Sequence, residues 1–409
     1  MKKRIIILLC TCFLSGCQLV ISNESLMKPP GLVNTMASLE QTILSHLSSE
    51  AVLMTPLTGE HQNVKTVMDL DRDGTLEAVV FYKENEHAIV KGLLFSEKDG
   101  EWTKVQTFLG DGNTLYELEI KDVTNDGVLD VIAGFSFRND GKDARKGLAV
   151  YQYDLEKLNR VFNNTYTHML IDDLNQDGVD ELVTILFDQY DVSGMFVFNY
   201  TNNKMVLMDN VLLNTRVNAL NVISGYVALD QKAIVIDTFF GNQEGFTDYI
   251  LFDGTELSYV FDWEPIHPTY KSYMILSEDT NHDGIIEAGV PYIPDNDDKE
   301  LNLNLLTHRY YQWDGVDDMI LINEIYDSIE YGYRFDFPNE WTEGIHIETS
   351  DENKEVRFIK NNKLLFDIHV IPASDFKNIE GKFILARKNN LVYYTTFSDS
   401  ELYKKFRLL

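Results

Sequence analysis

The chain has 409 residues, enough for two or three domains or one long repeat array, and its 44% hydrophobic and 12% aromatic content fits a packed protein and excludes a disordered one. Net charge is −30, from 65 Asp and Glu against 35 Lys and Arg. Taken as a whole, that balance argues against nucleic acid and anionic lipid as direct partners, since both need basic surface.

At the N-terminus Lys2-Lys3-Arg4 precedes an apolar run from Ile5 to Leu14 and then Leu14-Ser15-Gly16-Cys17. Residues 1–16 therefore read as a signal peptide, too short to span a bilayer. The last four residues resemble the lipobox of bacterial lipoproteins. That resemblance implies that Cys17 becomes the fatty-acylated (palmitate-type) first residue of a mature chain on the extracytoplasmic face of the cell membrane. The other two cysteines, Cys10 and Cys12, fall in the removed segment, so no pair remains for a disulfide. Residues 17–34, with Pro29-Pro30-Gly31, read as a tether. Across 35–56, Met36, Leu39, Ile43, Leu44 and Leu47 share one face of a short helix, expected to cap or flank the units downstream of it.

Residues 57–325 are organised by an acidic nonapeptide. It occurs at Asp69–Glu77 (DLDRDGTLE), Asp122–Asp130 (DVTNDGVLD), Asp173–Glu181 (DLNQDGVDE) and Asp279–Glu287 (DTNHDGIIE). The spacing of about 50 residues, doubled before the last copy, marks a repeat array. Oxygen-bearing side chains stand at positions 1, 3, 5 and 9: Asp69, Asp71, Asp73 and Glu77; Asp122, Thr124, Asp126 and Asp130; Asp173, Asn175, Asp177 and Glu181; Asp279, Asn281, Asp283 and Glu287. Several oxygens converging on one point suit calcium, a hard cation, and glycine at position 6 permits the turn that closes the loop. Up to four structural calcium ions are expected, with the second loop weakest because Thr124 offers only a hydroxyl.

An EF-hand needs Glu at position 12 and flanking helices. Position 12 here holds Val80, Ala133, Thr184 and Val290, and strand-like runs such as Ala78-Val79-Val80-Phe81 and Leu182-Val183-Thr184-Ile185-Leu186 come after the loops. A plain Asp-Gly hairpin turn explains one copy but not four in register. Each unit also carries an aromatic-rich hairpin, with turns at Asp99-Gly100, near Asp154, at Asn202-Asn203, at Asp253-Gly254 and at Asp314-Gly315. Five hairpins against four loops place a unit without an ion between the third and fourth loops, where Val227-Ala228-Leu229-Asp230-Gln231-Lys232 stands instead.

Units of this length with four short strands fit the blades of a β-propeller, here about five. The DxDxDGxxE pattern followed by an apolar strand resembles the FG-GAP/VCBS repeats of integrin-α-like propellers. The resemblance implies calcium bound in each loop between the first strands of a blade. After Asp327 the pattern stops, and Tyr331-Gly332-Tyr333-Arg334-Phe335-Asp336-Phe337-Pro338 with Trp341 resembles a PsbP-like domain. Residues 326–409 are thus expected to form a small α+β domain, within a mainly β fold.

No nucleophile elbow, phosphate loop or zinc-protease helix is present in the sequence. His168 and His282 flank metal loops, but calcium selects oxygen over imidazole. Trp263 and Trp313 are candidate surface aromatics. The expected function is a membrane-anchored calcium-binding propeller acting as a binding or scaffolding module for a protein or polysaccharide. The alternative is an enzyme, a polysaccharide or peptide hydrolase or lyase, with its site at the propeller channel. A third reading gives the C-terminal part an assembly or signalling role.

Overall fold

Three of the acidic loops are followed by apolar runs that form strands buried on both faces; after the fourth the strand is only partly buried. The computed structural model describes residues 30–136, 145–154, 156–188, 192–214, 218–240, 244–261, 267–292, 306–341, 344–350, 354–377 and 381–409. The first sheet contains β1 (Val52–Met54), β2 (Lys65–Met68), β3 (Glu77–Lys83), β4 (Lys91–Lys98) and β5 (Glu101–Leu109). The second has β6 (Thr114–Lys121), β7 (Asp130–Ser136), β8 (Lys146–Tyr153) and β9 (Leu158–Tyr166), and the third β10 (His168–Asp172), β11 (Glu181–Leu186), β12 (Ser193–Thr201) and β13 (Lys204–Leu213). The fourth has β14 (Asn218–Ala228), β15 (Gln231–Phe240), β16 (Glu244–Phe252) and β17 (Leu257–Tyr259). The fifth begins with β18 (Ala288–Tyr292), β19 (Thr307–Trp313), β20 (Met319–Ser328) and β21 (Tyr333–Asp336).

All pairings in these sheets are antiparallel and run in chain order, except that β1 and β2 both pair with β3, along different halves of it. In each of the four units with an acidic loop, the second and third strands after the loop pair through a β-bulge, at Leu94/Phe95, Val150/Tyr151, Val197/Phe198 and Tyr310/Tyr311. A bulge recurring at the same pairing adds local twist to each sheet.

Strand alternation decides what each sheet packs against. In β3, Val79 and Phe81 point to a cluster shared with Val131, Ala133 and Phe135 of the second sheet. Ala78, Val80 and Tyr82 point the other way, against the N-terminal helix α1 (Pro30–Ser45). The second sheet's other face meets the third through Ile132, Leu148 and Leu182; the third meets the fourth through Val183, Ile185, Ile234 and Ile236; the fourth meets the fifth through Val235, Tyr249, Ala288 and Trp313. Face-to-face stacking of four-stranded antiparallel sheets in chain order is the blade arrangement of a β-propeller. Side chains also latch one unit to the next: the Gln106 amide brackets the backbone of Leu158 at 2.7 and 3.0 Å, and the Asp209 carboxylate accepts from the N–H of Leu257 at 2.7 Å.

Among the described residues no hydrophobic cluster joins the first sheet to the fifth. The face of the first sheet that points away from the second is covered instead by Leu39 and Ile43 of α1, which are fully buried. The helix begins at Pro30, inside the segment expected to be a tether. Of the five apolar positions assigned to its buried face, Leu39, Ile43 and Leu47 pack inward, whereas Met36 and Leu44 are 41% and 60% exposed.

The C-terminal region differs from the expected α+β domain. A sixth sheet, in the order β22 (Ile345–Thr349), β23 (Glu355–Lys360), β24 (Lys363–Pro372), β26 (Leu391–Thr395) and β25 (Phe383–Lys388), is wholly antiparallel. Among the described residues its helical content is one 3₁₀ turn at Asn339–Trp341 and the five-residue α2 (Ser400–Lys404). The region is also not separate. The last strand, β27 (Phe406–Leu408), returns to pair with β21 in the fifth sheet, and Phe335 stacks on Phe358 and Phe366 in a shared aromatic core. The aromatic-Pro-Trp segment is thus the hinge by which the sixth sheet folds onto the fifth.

Candidate metal centres

The four nonapeptides share one backbone. Position 4 lies in the left-handed region in every copy (Arg72, Asn125, Gln176 and His282, φ 52 to 63°), and the glycine at position 6 has φ between 87 and 92°. Glycine is required at that second value because a Cβ would be strained there. The position-1 carboxylate accepts the N–H groups of positions 5 and 6: Asp69 from Asp73 (3.1 Å) and Gly74 (2.9 Å), Asp122 from Asp126 (3.2 Å) and Gly127 (2.8 Å), Asp173 from Asp177 and Gly178 (both 3.0 Å), and Asp279 from Asp283 (3.2 Å) and Gly284 (2.9 Å). The position-5 carboxylate accepts from the N–H of position 7 at 2.7 to 2.9 Å. Position 9 is the first residue of the next strand in three copies and directly precedes β18 in the fourth. Its carboxylate reaches back to the N–H of position 2 at 2.7 to 3.1 Å.

Position 2 is the feature that sequence reasoning missed. Leu70, Val123 and Leu174 are buried and root three of the loops in the inter-sheet clusters, which keeps the position-9 acid inside the fold. Its signal, an apolar residue between the position-1 acid and the position-3 oxygen donor, was present in the sequence.

This scaffold gathers three proposed ligands in the first loop and three in the fourth; Asp73 stands outside the first group, and the carboxylates of the second and third loops are not gathered to the same distance. Carboxylate oxygens of Asp69, Asp71 and Glu77 lie within 4.8 Å of one another, as do those of Asp279, Asp283 and Glu287. In the third loop the Asn175 amide contacts Asp177 and Glu181, both at 3.2 Å. In the second loop the Thr124 hydroxyl donates to Asp130 at 3.2 Å, which engages both groups with each other. Glu77, Asp130, Glu181 and Glu287 are at most 2% exposed, and Glu287 Oε1 is buried without a hydrogen-bond partner. A buried carboxylate oxygen with no donor, facing other carboxylates, is a costly arrangement that a bound cation resolves. The all-oxygen donor set suits calcium or another hard cation. A further acidic group, Asp314, Asp317 and Asp318, is fully exposed, and Asp314 caps the N–H groups of Val316, Asp317 and Asp318 as an ordinary turn.

Burial, reinforced by the neighbouring acids, pushes Glu77, Asp130 and Glu287 each up to about 7, and raises Glu181 as well. The ordinary values are 4.5 for Glu and 3.8 for Asp. Between those values and 7 the metal-free folded chain holds protons that the unfolded chain has released, so its stability falls as pH rises through that window. A cation needs the deprotonated form and displaces the proton. Adding calcium to weakly buffered protein at about pH 6 is therefore expected to release protons, measurable by pH-stat titration. Glu77→Gln and Glu287→Gln should each remove part of that release, and calcium binding without proton release would contradict this geometry.

The unit without an ion has a tight hairpin from Ala228 to Gln231 in place of the loop. In β15 the Lys232 ammonium is bonded to Asp172 at 2.7 Å, next to the third loop. Elsewhere in this unit the Asp237 carboxylate, 1% exposed, accepts from Lys271 Nζ (2.6 Å), from the N–H and Oγ of Ser277 (both 2.7 Å) and from the Thr247 hydroxyl (2.7 Å). Burial works to raise Asp237, but Lys271 and these bonds outweigh it and hold the carboxyl below its ordinary range; burial lowers Lys271. Beside it His267 Nε2 stands 3.4 Å from Asp248 Oδ1. The Thr269 hydroxyl near His267 is tied to the backbone of Thr247, which leaves this Thr-His-Asp set structural.

Of the remaining candidates, Trp313 is buried between the fourth and fifth sheets, contrary to the surface role expected of it. His282 is exposed at the tip of its loop and His168 packs edge-on against Phe187. Cys17 and Trp263 lie outside the described residues. Among the described residues no helix is long and apolar enough to cross a membrane.

No family model and no curated protein matches the chain. Solved structures that resemble it include a protein from Lactobacillus plantarum (10% identity, 74% of this chain and 79% of that one, TM-score 0.32) and the exotype rhamnogalacturonan lyase YesX (11%, 66% of each chain, 0.31). A third is the β-propeller domain of the Trilobed protease from Pyrococcus furiosus (9%, 75% and 95%, 0.30). At such scores these likenesses carry no argument, and the fold rests on the strand order and stacking above.

Proposed function

We propose that this chain is a lipid-anchored, extracytoplasmic propeller of FG-GAP/VCBS-like repeats, stabilised by up to four calcium ions and acting as a binding or scaffolding module for a protein or polysaccharide. The observation that carries the calcium reading is the single loop geometry repeated at four sites, with a buried acid at position 9 each time. The ligands are the four residues of each loop, and affinity in the range of extracellular modules, roughly 10⁻⁴ to 10⁻³ M, fits such partly exposed sites. The anchor rests on the order of charged, apolar and small residues before Cys17.

An enzyme reading has one observation in its favour. Glu117 in β6 is pushed up to about 6, chiefly by burial, a value suited to a general acid. Its carboxylate is already engaged by the Tyr166 hydroxyl at 3.0 Å, and that of neighbouring Glu119 by the N–H of Glu60 at 2.9 Å, which favours a structural role for both. The module reading is tested by cross-linking on intact cells with calcium present. The wild type is expected to retain one recurrent partner and to fractionate with membranes, and Cys17→Ser to lose both. A chain recovered alone, or found soluble when wild type, would overturn it.

A further inference from the structure

The charge of the chain is unevenly distributed. Residues 1–344 carry 24 Lys and Arg against 56 Asp and Glu, a balance of −32, whereas residues 345–409 carry 11 against 9, a balance of +2. Two of these cations stand at one margin of the sixth sheet. Its edge strand β25 places Ile384 opposite Tyr394 and Arg387 opposite Val392, on the face turned away from the aromatic core. On that face Lys382 stands over the Tyr394 ring at 4.7 Å, and Arg387 stands over Phe376 at 5.4 Å. Neither cation has a carboxylate partner among the described residues. Ile384 is 42% exposed between them. Lys388, opposite Leu391, turns to the other face, where its ammonium donates to the Leu409 oxygen at 2.5 Å.

We propose that this edge, formed by Lys382, Ile384 and Arg387 over Phe376 and Tyr394, is a docking surface for the anionic headgroups of a bilayer. Cations held over aromatic rings beside an exposed aliphatic side chain match a surface that is negatively charged at its face and apolar just beneath it. The propeller's acidity does not prevent the contact, because at physiological ionic strength charges more than about 8 Å away are screened. The whole-chain sum therefore misleads about this one margin. The inference rests on the proposed anchoring only in needing a membrane within reach, and it assigns which side of the molecule faces that membrane.

The test uses the chain from residue 17 with Cys17→Ser, in saturating calcium, so that neither an acyl chain nor unfilled metal loops contribute. Sedimentation with phosphatidylcholine vesicles is compared with and without phosphatidylglycerol. Binding is expected only to the anionic vesicles and to weaken as salt is raised. The double variant Lys382→Glu/Arg387→Glu should bind roughly tenfold or more weakly. Lys98→Glu/Lys104→Glu, on exposed positions of the first sheet, should bind as the parent does. An unchanged thermal midpoint in the first variant excludes misfolding, and Lys382→Gln/Arg387→Gln repeats the test with a milder change. Equal binding to neutral vesicles, or anionic binding unaffected by Lys382→Glu/Arg387→Glu, would overturn the assignment; the second result would point to calcium bridging through the acidic loops. Binding to soluble poly(glycerol phosphate) but not to vesicles would also overturn it, in favour of an anionic polymer. None of these results touches the calcium reading, whose failure would appear as a thermal midpoint indifferent to calcium.

Discussion

Removing calcium is expected to lower the thermal midpoint of this protein more than any single substitution on its surface. A ligand bound only by the folded state adds RT ln(1 + [L]/Kd), about 2.7 kcal/mol for one site at a hundredfold excess over Kd. Four loops filled at that excess would contribute on the order of 10 kcal/mol, comparable with the entire stability of an ordinary domain. Asp73→Ala and Asp283→Ala each leave one loop without its position-5 carboxylate and should each remove about a quarter of the calcium-dependent gain. Asp126→Ala should remove less, because Thr124 already donates to Asp130 in that loop. Asp230→Ala, in the hairpin without a loop, should leave the gain intact. The measurement is thermal unfolding in saturating calcium and in chelator. Identical midpoints in the two conditions would reject the metal reading outright.

The second large effect is expected at Lys271. Lys271→Met leaves the Asp237 carboxylate buried, with Ser277 and Thr247 as its remaining close donors. Breaking a buried ion pair from one side costs about 3 to 5 kcal/mol. The urea midpoint should fall by a corresponding amount, whether or not calcium is present. Removing both charges together, as in Lys271→Met/Asp237→Leu, should recover part of the loss, because no uncompensated charge then remains. A double variant worse than either single one would show that the hydrogen bonds around Asp237, rather than its charge, are what the junction needs.

What could be read from the sequence was whatever is encoded within about ten residues. The loops were legible because ligands, glycine and the adjoining strand lie in one nonapeptide, and the unit without an ion was legible because Asp253-Gly254 keeps its hairpin although the acids are gone. Where Thr124 replaces the position-3 acid or amide, the structure turns its hydroxyl to Asp130. Long-range pairings were not legible. Asp237 meets Lys271 across 34 residues, and nothing near either announces the other. The helical periodicity of α1 was correct in kind but put Met36 and Leu44 on the wrong side, because the flat face of one sheet admits a narrower stripe than five positions. The C-terminal region was misjudged for the same reason: its local pattern reads as a new domain, while its last strand belongs to an older sheet.

That returning strand has a temporal consequence. Tyr333 pairs with Leu408, on the far side of the whole sixth sheet in sequence. The first four sheets are each complete within a contiguous stretch and can close in turn as the polypeptide emerges. The fifth cannot be finished until β27 has been made as well, so a product truncated before that strand would carry its earlier units folded and its last one open at the seam.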